Sequence, residues 1–254
     1  MSSPESTPSP GRPGFVRLVE VEARKQVDTR SGRWLIGVAA GLVLAVYLAG
    51  ALLGKAGGFA DAFAVGAIPL GVLLPVVTIL GVTSEWSTGA SQVTFVLEPR
   101  RGRVLAAKVV GGLLLSLGLI VVALIAAALA TLVSSAARGA SPMWDLGWWE
   151  WCGLTVLLLL NSAQGAALGA LLQHTVASIV AFLLLPTVGT IVVTVLLGDG
   201  PVVPWVSIND AMAPLVHRAP LGSTEWAQLA AASALWILAP GALGALRWSR
   251  REIT

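Results

Sequence analysis

The middle of the chain reads VVGGLLLSLGLIVVALIAAALATLV from Val109 to Val133, without one charged residue. About 20 apolar residues in a helix cross the roughly 30 Å hydrocarbon core of a bilayer. Strands of a transmembrane barrel would instead alternate apolar and polar residues in short segments. Because this run is continuous, it predicts a transmembrane α-helix whose backbone groups are satisfied within the helix.

Similar apolar runs recur along the whole chain of 254 residues, which is 56% hydrophobic and only 11% charged. An ordinary soluble domain has about 25% charged residues, so lipid is the expected solvent here. Only Gln173 and His174 separate the fourth run from the fifth, and the combined length of these two runs requires two spans. We predict an all-α polytopic membrane helical bundle, a transmembrane domain of residues 34–246, with six transmembrane helices at about 34–53, 62–82, 109–133, 152–172, 175–197 and 226–246.

The segment before the first run divides into two parts. Residues 1–13 are rich in Ser and Pro and predict a disordered tail. Residues 14–33 predict an amphipathic interfacial helix, because their apolar side chains fall within one half of a helical wheel, although Glu22 lies near that side. A solvated lead-in is the alternative. The apolar side chains are Phe15, Leu18, Val19, Ala23 and Val27.

Basic residues are distributed unevenly between the two sides of this arrangement. Of the 16 Lys and Arg residues, 13 fall on one side, and only Lys55, Arg138 and Arg218 fall on the other. The positive-inside rule then predicts that both termini are cytoplasmic, with a C-terminal tail at 247–254. The first run starts at Trp34 without a small-residue cleavage site, so we expect it to remain as a span. We predict a multi-pass protein of the cell membrane, embedded in the lipid bilayer and without a nucleic-acid partner.

The runs lack the residues that most membrane chemistry needs. No Asp, Glu, Lys or Arg lies well inside any run, which disfavours ion-coupled transport. The sequence has no glycine-rich phosphate loop, so a nucleotide would have to bind another chain. His174 and His217 lie at opposite ends of the membrane, and Cys152 is the single cysteine, so neither a catalytic set nor a metal site is indicated. We therefore expect no enzymatic activity and no cofactor in this chain.

A few polar residues within the runs are candidates for a substrate path, namely Thr78, Asn161, Gln164 and Thr190. Asn161 and Gln164 share one face of the fourth run near mid-membrane, where an unsatisfied amide is costly. Hydrogen bonding between helices is the alternative to substrate contact.

Prolines and glycines within the runs indicate where helices bend and approach. Pro69, Pro75 and Pro186 interrupt helical hydrogen bonds in the second and fifth runs, and predict kinks that are either static or hinges. The spacing of Gly165 and Gly169 allows a neighbouring helix to come close.

Tryptophans mark the expected membrane edges, because their amphipathic rings favour the headgroup region. Four crowd the outer edge of the fourth run and two lie at inner edges, so we predict interfacial anchors. They are Trp144, Trp148, Trp149 and Trp151, followed by Trp34 and Trp248. The outer loop 198–225 contains four prolines and leaves two alternatives open, partial re-entry into the membrane or an exposed loop.

The most individual stretch connects the second and third runs and reads SEWSTGASQVTFVLEPRRGRVLAAK, residues 84–108. We expect Ser84 to cap a short helix that Gly89 ends, and Pro99 to stop the next piece. This coupling segment would present a structured surface beneath the membrane to a cytoplasmic partner. Plain anchoring at the anionic inner surface is the alternative role for the basic residues that follow.

In this connection the chain resembles the permease subunits of the type-2 (ABC-2) class of ATP-binding-cassette exporters, particularly the compact six-span actinobacterial kind. The amphipathic segment and the six-span layout contribute to the resemblance, which covers nearly the whole chain. It implies that residues 85–89 form a coupling helix that docks on an ATPase, with the basic residues near the membrane face. The residues concerned are Glu85, Trp86, Gly89, Pro99, Arg100, Arg101 and Lys108. Ala90 departs from the Thr that many members have at that position.

The resemblance also implies partners and a mechanism. Two permeases, as a homodimer or a heterodimer, would pair with two cytoplasmic ABC ATPase subunits, which bind ATP and Mg. The complex would export a substrate by alternating access, with the first, second and fifth spans lining the path. Two alternatives from other classes remain, a non-transporting membrane anchor or regulatory subunit and an intramembrane enzyme acting on lipid.

Overall fold

A computed structural model describes residues 14–52, 58–88, 101–198, 200–216 and 220–250 of the chain. These residues contain helices and no β-strand, which confirms the all-α prediction. The helices are α1 (Phe15–Asp28), α2 (Arg30–Leu52), α3 (Phe59–Thr88), α4 (Arg101–Ala137), α5 (Trp148–Leu172), α6 (Thr175–Leu197), α7 (Val203–Val206), α8 (Ile208–Met212), a 3-10 turn (Ala213–Val216), α9 (Ser223–Ser233), a π turn (Ala234–Leu238) and α10 (Ala239–Arg250).

Six of these segments are long and apolar enough to cross a membrane, as the sequence predicted. They are α2 to α6, which form the first to fifth spans, and α9 with the π turn and α10, which form the sixth. Most of them extend beyond the apolar runs, because charged residues at the ends of a run can also be helical. The third span has 37 residues and is about 55 Å long, so it projects past the hydrocarbon core.

The second and fourth spans form the centre of the bundle. About half of each apolar segment is buried, 50% and 56%, against 11% to 22% in the other four spans. The two helices approach closely, since a side chain added at Gly165 would lie 2.8 Å from the carbonyl oxygen of Pro75. The hydroxyl of Thr78 donates to the carbonyl of Ser162 at 2.9 Å and so links the two spans directly. These contacts explain the small residues of the fourth span.

The fourth and fifth spans are joined by the tight turn that the sequence predicted at Gln173 and His174. Gln173 adopts a left-handed conformation with φ 54°, which ends the fourth span. The ring nitrogen Nδ1 of His174 accepts a hydrogen bond from the backbone N–H of Ala177 at 3.2 Å and caps the fifth span. The combined run is therefore two helices rather than one.

The connections alternate between two ends of the bundle, as a six-span layout requires. At one end, which we call the basic end, Arg247 donates to the carbonyl oxygen of Leu171 at 2.8 Å, joining the sixth span to the fourth. The hydroxyls of Thr83 and Thr175 lie 2.8 Å apart there and join the second span to the fifth. The predicted cytoplasmic residues of the described ranges lie at this end, whereas its orientation in the membrane stays a prediction.

Two predictions near the basic end are wrong in the structure. Ser84 does not cap a separate short helix, because the second-span helix continues without a break to Thr88. Trp248 does not anchor at the membrane edge, since its side chain is 1% exposed and packs with Val82, Leu105, Ala166 and Ala170. The sixth-span helix runs to Arg250, so part of the predicted tail at 247–254 belongs to the bundle. The predicted disordered tail at 1–13 lies outside the described residues.

Two of the tryptophans at the opposite end are exposed, as expected of anchors. Trp148 is 74% and Trp144 55% exposed, and at the basic end Trp34 is 74% exposed. Trp149 and Trp151 are half-buried, and Trp149 packs edge-on against Trp226 of the sixth span at 6.2 Å between ring centroids. The latter two tryptophans therefore contribute to packing as well.

The described part of the outer loop, residues 200–216, packs on the bundle, and whether it re-enters the membrane or is exposed outside it stays a prediction. Residues 200–216, which we call the cap, contain α7, α8 and the 3-10 turn. The cap buries Ile208, Met212 and Leu215 against Leu229 of the sixth span. A side chain added at Gly153 would clash with the carbonyl oxygen of Leu215, so the cap also rests on the fourth-span backbone.

Candidate functional site at the basic end

Helix α1 packs against the basic end of the bundle and is not simply laid on a surface. Its buried residues are Val19, Glu22 and Gln26, spaced by three and four residues and therefore on one face. Phe15 and Val27, which the sequence placed on the apolar side, are each 39% exposed. The helix is amphipathic as predicted, but two polar side chains lie in its buried face.

The contact between α1 and the third span is an ion pair that is almost completely buried. Nζ of Lys108 lies 2.5 Å from Oε2 of Glu22, and the two side chains are 1% and 3% exposed. The other carboxylate oxygen of Glu22 accepts from Nζ of Lys25 at 2.7 Å, where the lysine side chain is 46% exposed. Both oxygens of Glu22 are thus engaged, as a buried carboxylate requires.

Gln26 extends this contact to the second span. Its Nε2 donates a long hydrogen bond of 3.5 Å to the backbone carbonyl of Lys108. A side chain added at Gly81 of the second span would lie 2.5 Å from Cδ of Gln26, and one added at Gly112 of the third span would lie 3.6 Å from its Oε1. The amide therefore fills the space that the absence of a side chain at Gly81 leaves open, whereas a methyl group at Gly112 would meet it at an ordinary van der Waals distance.

The contacts of α1 lie on both sides of the connection between the second and third spans. The second-span helix ends at Thr88 and the third begins at Arg101, and α1 contacts both helices within two turns of those ends. Glu85 and Trp86 belong to the last turn of the second-span helix, and Arg101 opens the third. Gly89, Pro99 and Arg100 lie outside the described residues. Among the predicted coupling residues, the structure thus gives side-chain contacts for Lys108.

The four residues suggested for a substrate path lie in different packing environments. Thr78 and Gln164 are each 1% exposed between helices, and Thr78 is held by its bond to the fourth span. Asn161 is half-buried. The hydroxyl of Thr190 donates to the carbonyl of Pro186 at 3.0 Å and lies 2.6 Å from the hydroxyl of Ser207 in the cap. Interhelical hydrogen bonding is therefore the observed role of the two threonines, and a path through these residues stays a prediction.

Sequence reasoning missed the pairing of Glu22 with Lys108. Both residues carried a signal, since Glu22 interrupts the apolar arc of α1 and Lys108 directly precedes the long uncharged run from Val109. Each charge would be costly in such surroundings without a partner of opposite sign. Matching two unfavourable charges of opposite sign would have suggested the pair.

Comparison with known proteins leaves the family open. No protein-family model matches the sequence, and no curated protein matches it significantly. Among the described residues, no group of three or more His, Cys, Asp or Glu side chains is placed to hold a metal ion.

Proposed function

We propose that the chain is the membrane-spanning permease subunit of an ATP-binding-cassette exporter of the type-2 class, driven by separate ATPase subunits. The six apolar helices support a multi-pass membrane protein. The uncharged interior of the runs supports an energy source outside the chain, because ion-coupled transporters keep a charged group within the membrane.

The docking of α1 is the observation that carries this proposal. A driven transporter needs a stiff connection between the partner that consumes energy and the helices that move. Here α1 joins the helix before the coupling segment to the helix after it, through Gln26 against Gly81 and through the buried pair of Glu22 and Lys108. A force applied to residues 89–100 would therefore move the second and third spans together.

The central position of the second span supports the next step. Because the second span packs along the fourth through Thr78 and Gly165, movement at the basic end is passed to the core of the bundle. In the proposed complex, ATP and Mg bind to the ATPase subunits, and their closure pushes on the coupling residues Glu85 to Gly89. Two permease chains, identical or related, would enclose the substrate path between them.

Affinity purification tests the proposal directly. The tagged full chain is extracted in mild detergent from its native host, and the co-purifying proteins are quantified by mass spectrometry against the bait. We expect stoichiometric recovery of an ATPase with a phosphate-binding loop. Its reproducible absence from an intact, folded bait would refute the proposal.

Variants in the coupling segment test the mechanical role. Combined Glu85→Ala and Gly89→Pro substitutions are expected to abolish transport while the chain remains in the membrane. Glu20→Ala is the matched control, because Glu20 forms only an exposed pair with Arg24 on α1. Wild-type transport by the double variant would contradict the coupling role of residues 85–89.

A non-transporting membrane anchor is the second candidate. Its support is that Thr78, one of the four residues suggested for a path, is fully used in packing the second span against the fourth. An anchor would also recover a partner on purification, but turnover of that partner would not move any solute into or out of proteoliposomes.

A further inference from the structure

The sixth span is interrupted near its middle by a π turn at Ala234–Leu238, between α9 and α10. Pro240 lies two residues after the end of this turn and explains the interruption. A proline has no N–H for the carbonyl four residues earlier, here that of Trp236, and its ring clashes with that carbonyl. A widened turn removes both conflicts, and such turns often occur at functional sites.

The π turn separates two halves that pack against different parts of the molecule. The first half packs on the cap, with Leu229 and Ala232 in the same buried cluster as Ile208 and Met212. The second half, α10, packs along the fourth span, and its Trp248 is buried at the basic end. The π turn therefore lies between the half of the span that contacts the cap and the half that packs along the fourth span.

Trp236, within the π turn, makes the contact that ties the turn to the cap. Its indole N–H donates to the backbone carbonyl of Val206 at 2.7 Å. The ring lies against the fifth span, where a side chain added at Gly189 would come within 2.9 Å of it. On the same side of the cap, the hydroxyls of Ser207 and Thr190 lie 2.6 Å apart. Two hydrogen bonds thus hold the cap to the fifth and sixth spans.

We propose that the π turn is a latch for the cap, with Trp236 as the positioning residue that keeps the cap closed. Relaxing the extra residue of a π turn into regular α-helix rotates one half of the helix by about 100° and shifts it by about 1.5 Å relative to the other. Either displacement removes the indole from the carbonyl of Val206. The cap then opens at the Trp236 side, while the contact of Leu215 with Gly153 acts as the pivot.

In the exporter this latch is the outer gate, and that statement rests on the proposed function. The latch itself is a property of the single chain. It predicts that the cap opens more often when the indole hydrogen bond is lost, whether or not an ATPase is bound.

Cysteine accessibility measures that opening. Met212 is 4% exposed on the buried face of the cap, so a Met212→Cys reporter in a Cys152→Ser background is protected while the cap is closed. The full chain in lipid nanodiscs is labelled with a membrane-impermeant maleimide, and the rate is followed by mass spectrometry. Ile208→Cys, at a residue 1% exposed and away from the pivot, is the second reporter and shows whether the result depends on one position.

Trp236→Phe keeps the ring and removes only the indole donor. We expect labelling at Met212→Cys to be roughly five-fold faster, the effect of losing one ordinary hydrogen bond. The matched control is Trp226→Phe in the same span, whose indole makes no hydrogen bond with a described residue of the cap. It should label at the parental rate.

Pro240→Ala tests the π turn separately, because it removes the cause of the widened turn and leaves Trp236 intact. We expect faster labelling with this variant as well, and no additional acceleration when it is combined with Trp236→Phe, since both changes open the same latch. An unchanged rate in either single variant would overturn the latch. Because the assay needs no ATPase, a negative result leaves the proposed transport function standing, and failure to recover an ATPase leaves the latch standing.

Discussion

Replacing Glu22 with Gln should undock α1 from the bundle. The variant leaves Lys108 charged at 1% exposure without its carboxylate, and breaking a buried ion pair in this way costs about 3–5 kcal/mol. The additional loss of the partly exposed Lys25 contact adds no more than about 1 kcal/mol. Hydrogen exchange of residues 15–28, measured by mass spectrometry on the chain in nanodiscs, reports this docking. Since about 1.4 kcal/mol corresponds to ten-fold, protection should fall by at least about 100-fold or be lost completely.

Two further variants decide whether the buried charge is the cause. Glu20→Gln breaks only the exposed pair with Arg24, with side chains 55% and 73% exposed, and should change protection of α1 by less than about five-fold. The double variant Glu22→Met with Lys108→Met removes both charges and should restore most of the protection, because no unpaired charge is left. Wild-type exchange in Glu22→Gln, or a double variant as poorly protected as the single one, would refute the argument.

Three other perturbations follow from the same geometry. Gly165→Ala should destabilise the chain by about 1–3 kcal/mol in thermal unfolding, because the new methyl group would meet Pro75 at 2.8 Å. Gly169→Ala is the control and should be tolerated, because the nearest neighbour of its methyl group would lie at 3.5 Å. Equal effects of the two substitutions would contradict the close approach of the second and fourth spans. Thr78→Val should lower stability by about 0.5–2 kcal/mol through loss of the bond to Ser162, and no change in the melting temperature would count against that bond. With Cys152→Ser, an Arg138→Cys reporter should label in intact cells and a Glu20→Cys reporter only after permeabilisation, and the reverse pattern would invert the predicted topology.

The length of the apolar runs predicted the spans well, because each span has to cross the bilayer on its own. Each span must be about 20 residues of apolar helix whatever its neighbours are, and the turn at Gln173 and His174 followed from that length alone. Helix ends were less predictable, since a helix does not stop where hydrophobicity stops. The predictions of a cap at Ser84 and an anchor at Trp248 are wrong for this reason, because both residues lie within helices that continue past the apolar runs.

The candidate site was harder to predict because it depends on residues far apart in sequence. Glu22 and Lys108 are separated by 86 positions, and neither apolar period nor spacing connects them. The cap posed a related difficulty. Its short helices of four and five residues carry no period long enough to recognise, and the proline at position 204 serves to start a helix rather than to break one.

The third span connects the basic end of the bundle to the loop that holds the first turn of the second span. It is a helix of 37 residues without proline, so it acts as a stiff element between Lys108 at the basic end and the loop that follows it. In that loop the carbonyl of Met143 accepts from the backbone N–H of Phe59, and the carboxylate of Asp145 accepts from that of Ala60, both at 3.0 Å.

The second span is therefore held at both ends by residues that belong to the third-span segment or pack on it. At the basic end Gln26 fills the space beside Gly81, and at the opposite end the loop holds the first turn of the helix. Pro69 and Pro75 lie between these two attachments, where each removes one helical hydrogen bond. If the third span shifts as a rod, both ends of the second span shift with it. Because the contact of Pro75 with Gly165 holds the middle of the second span against the fourth, such a shift would bend the helix at its prolines, where helical hydrogen bonds are missing.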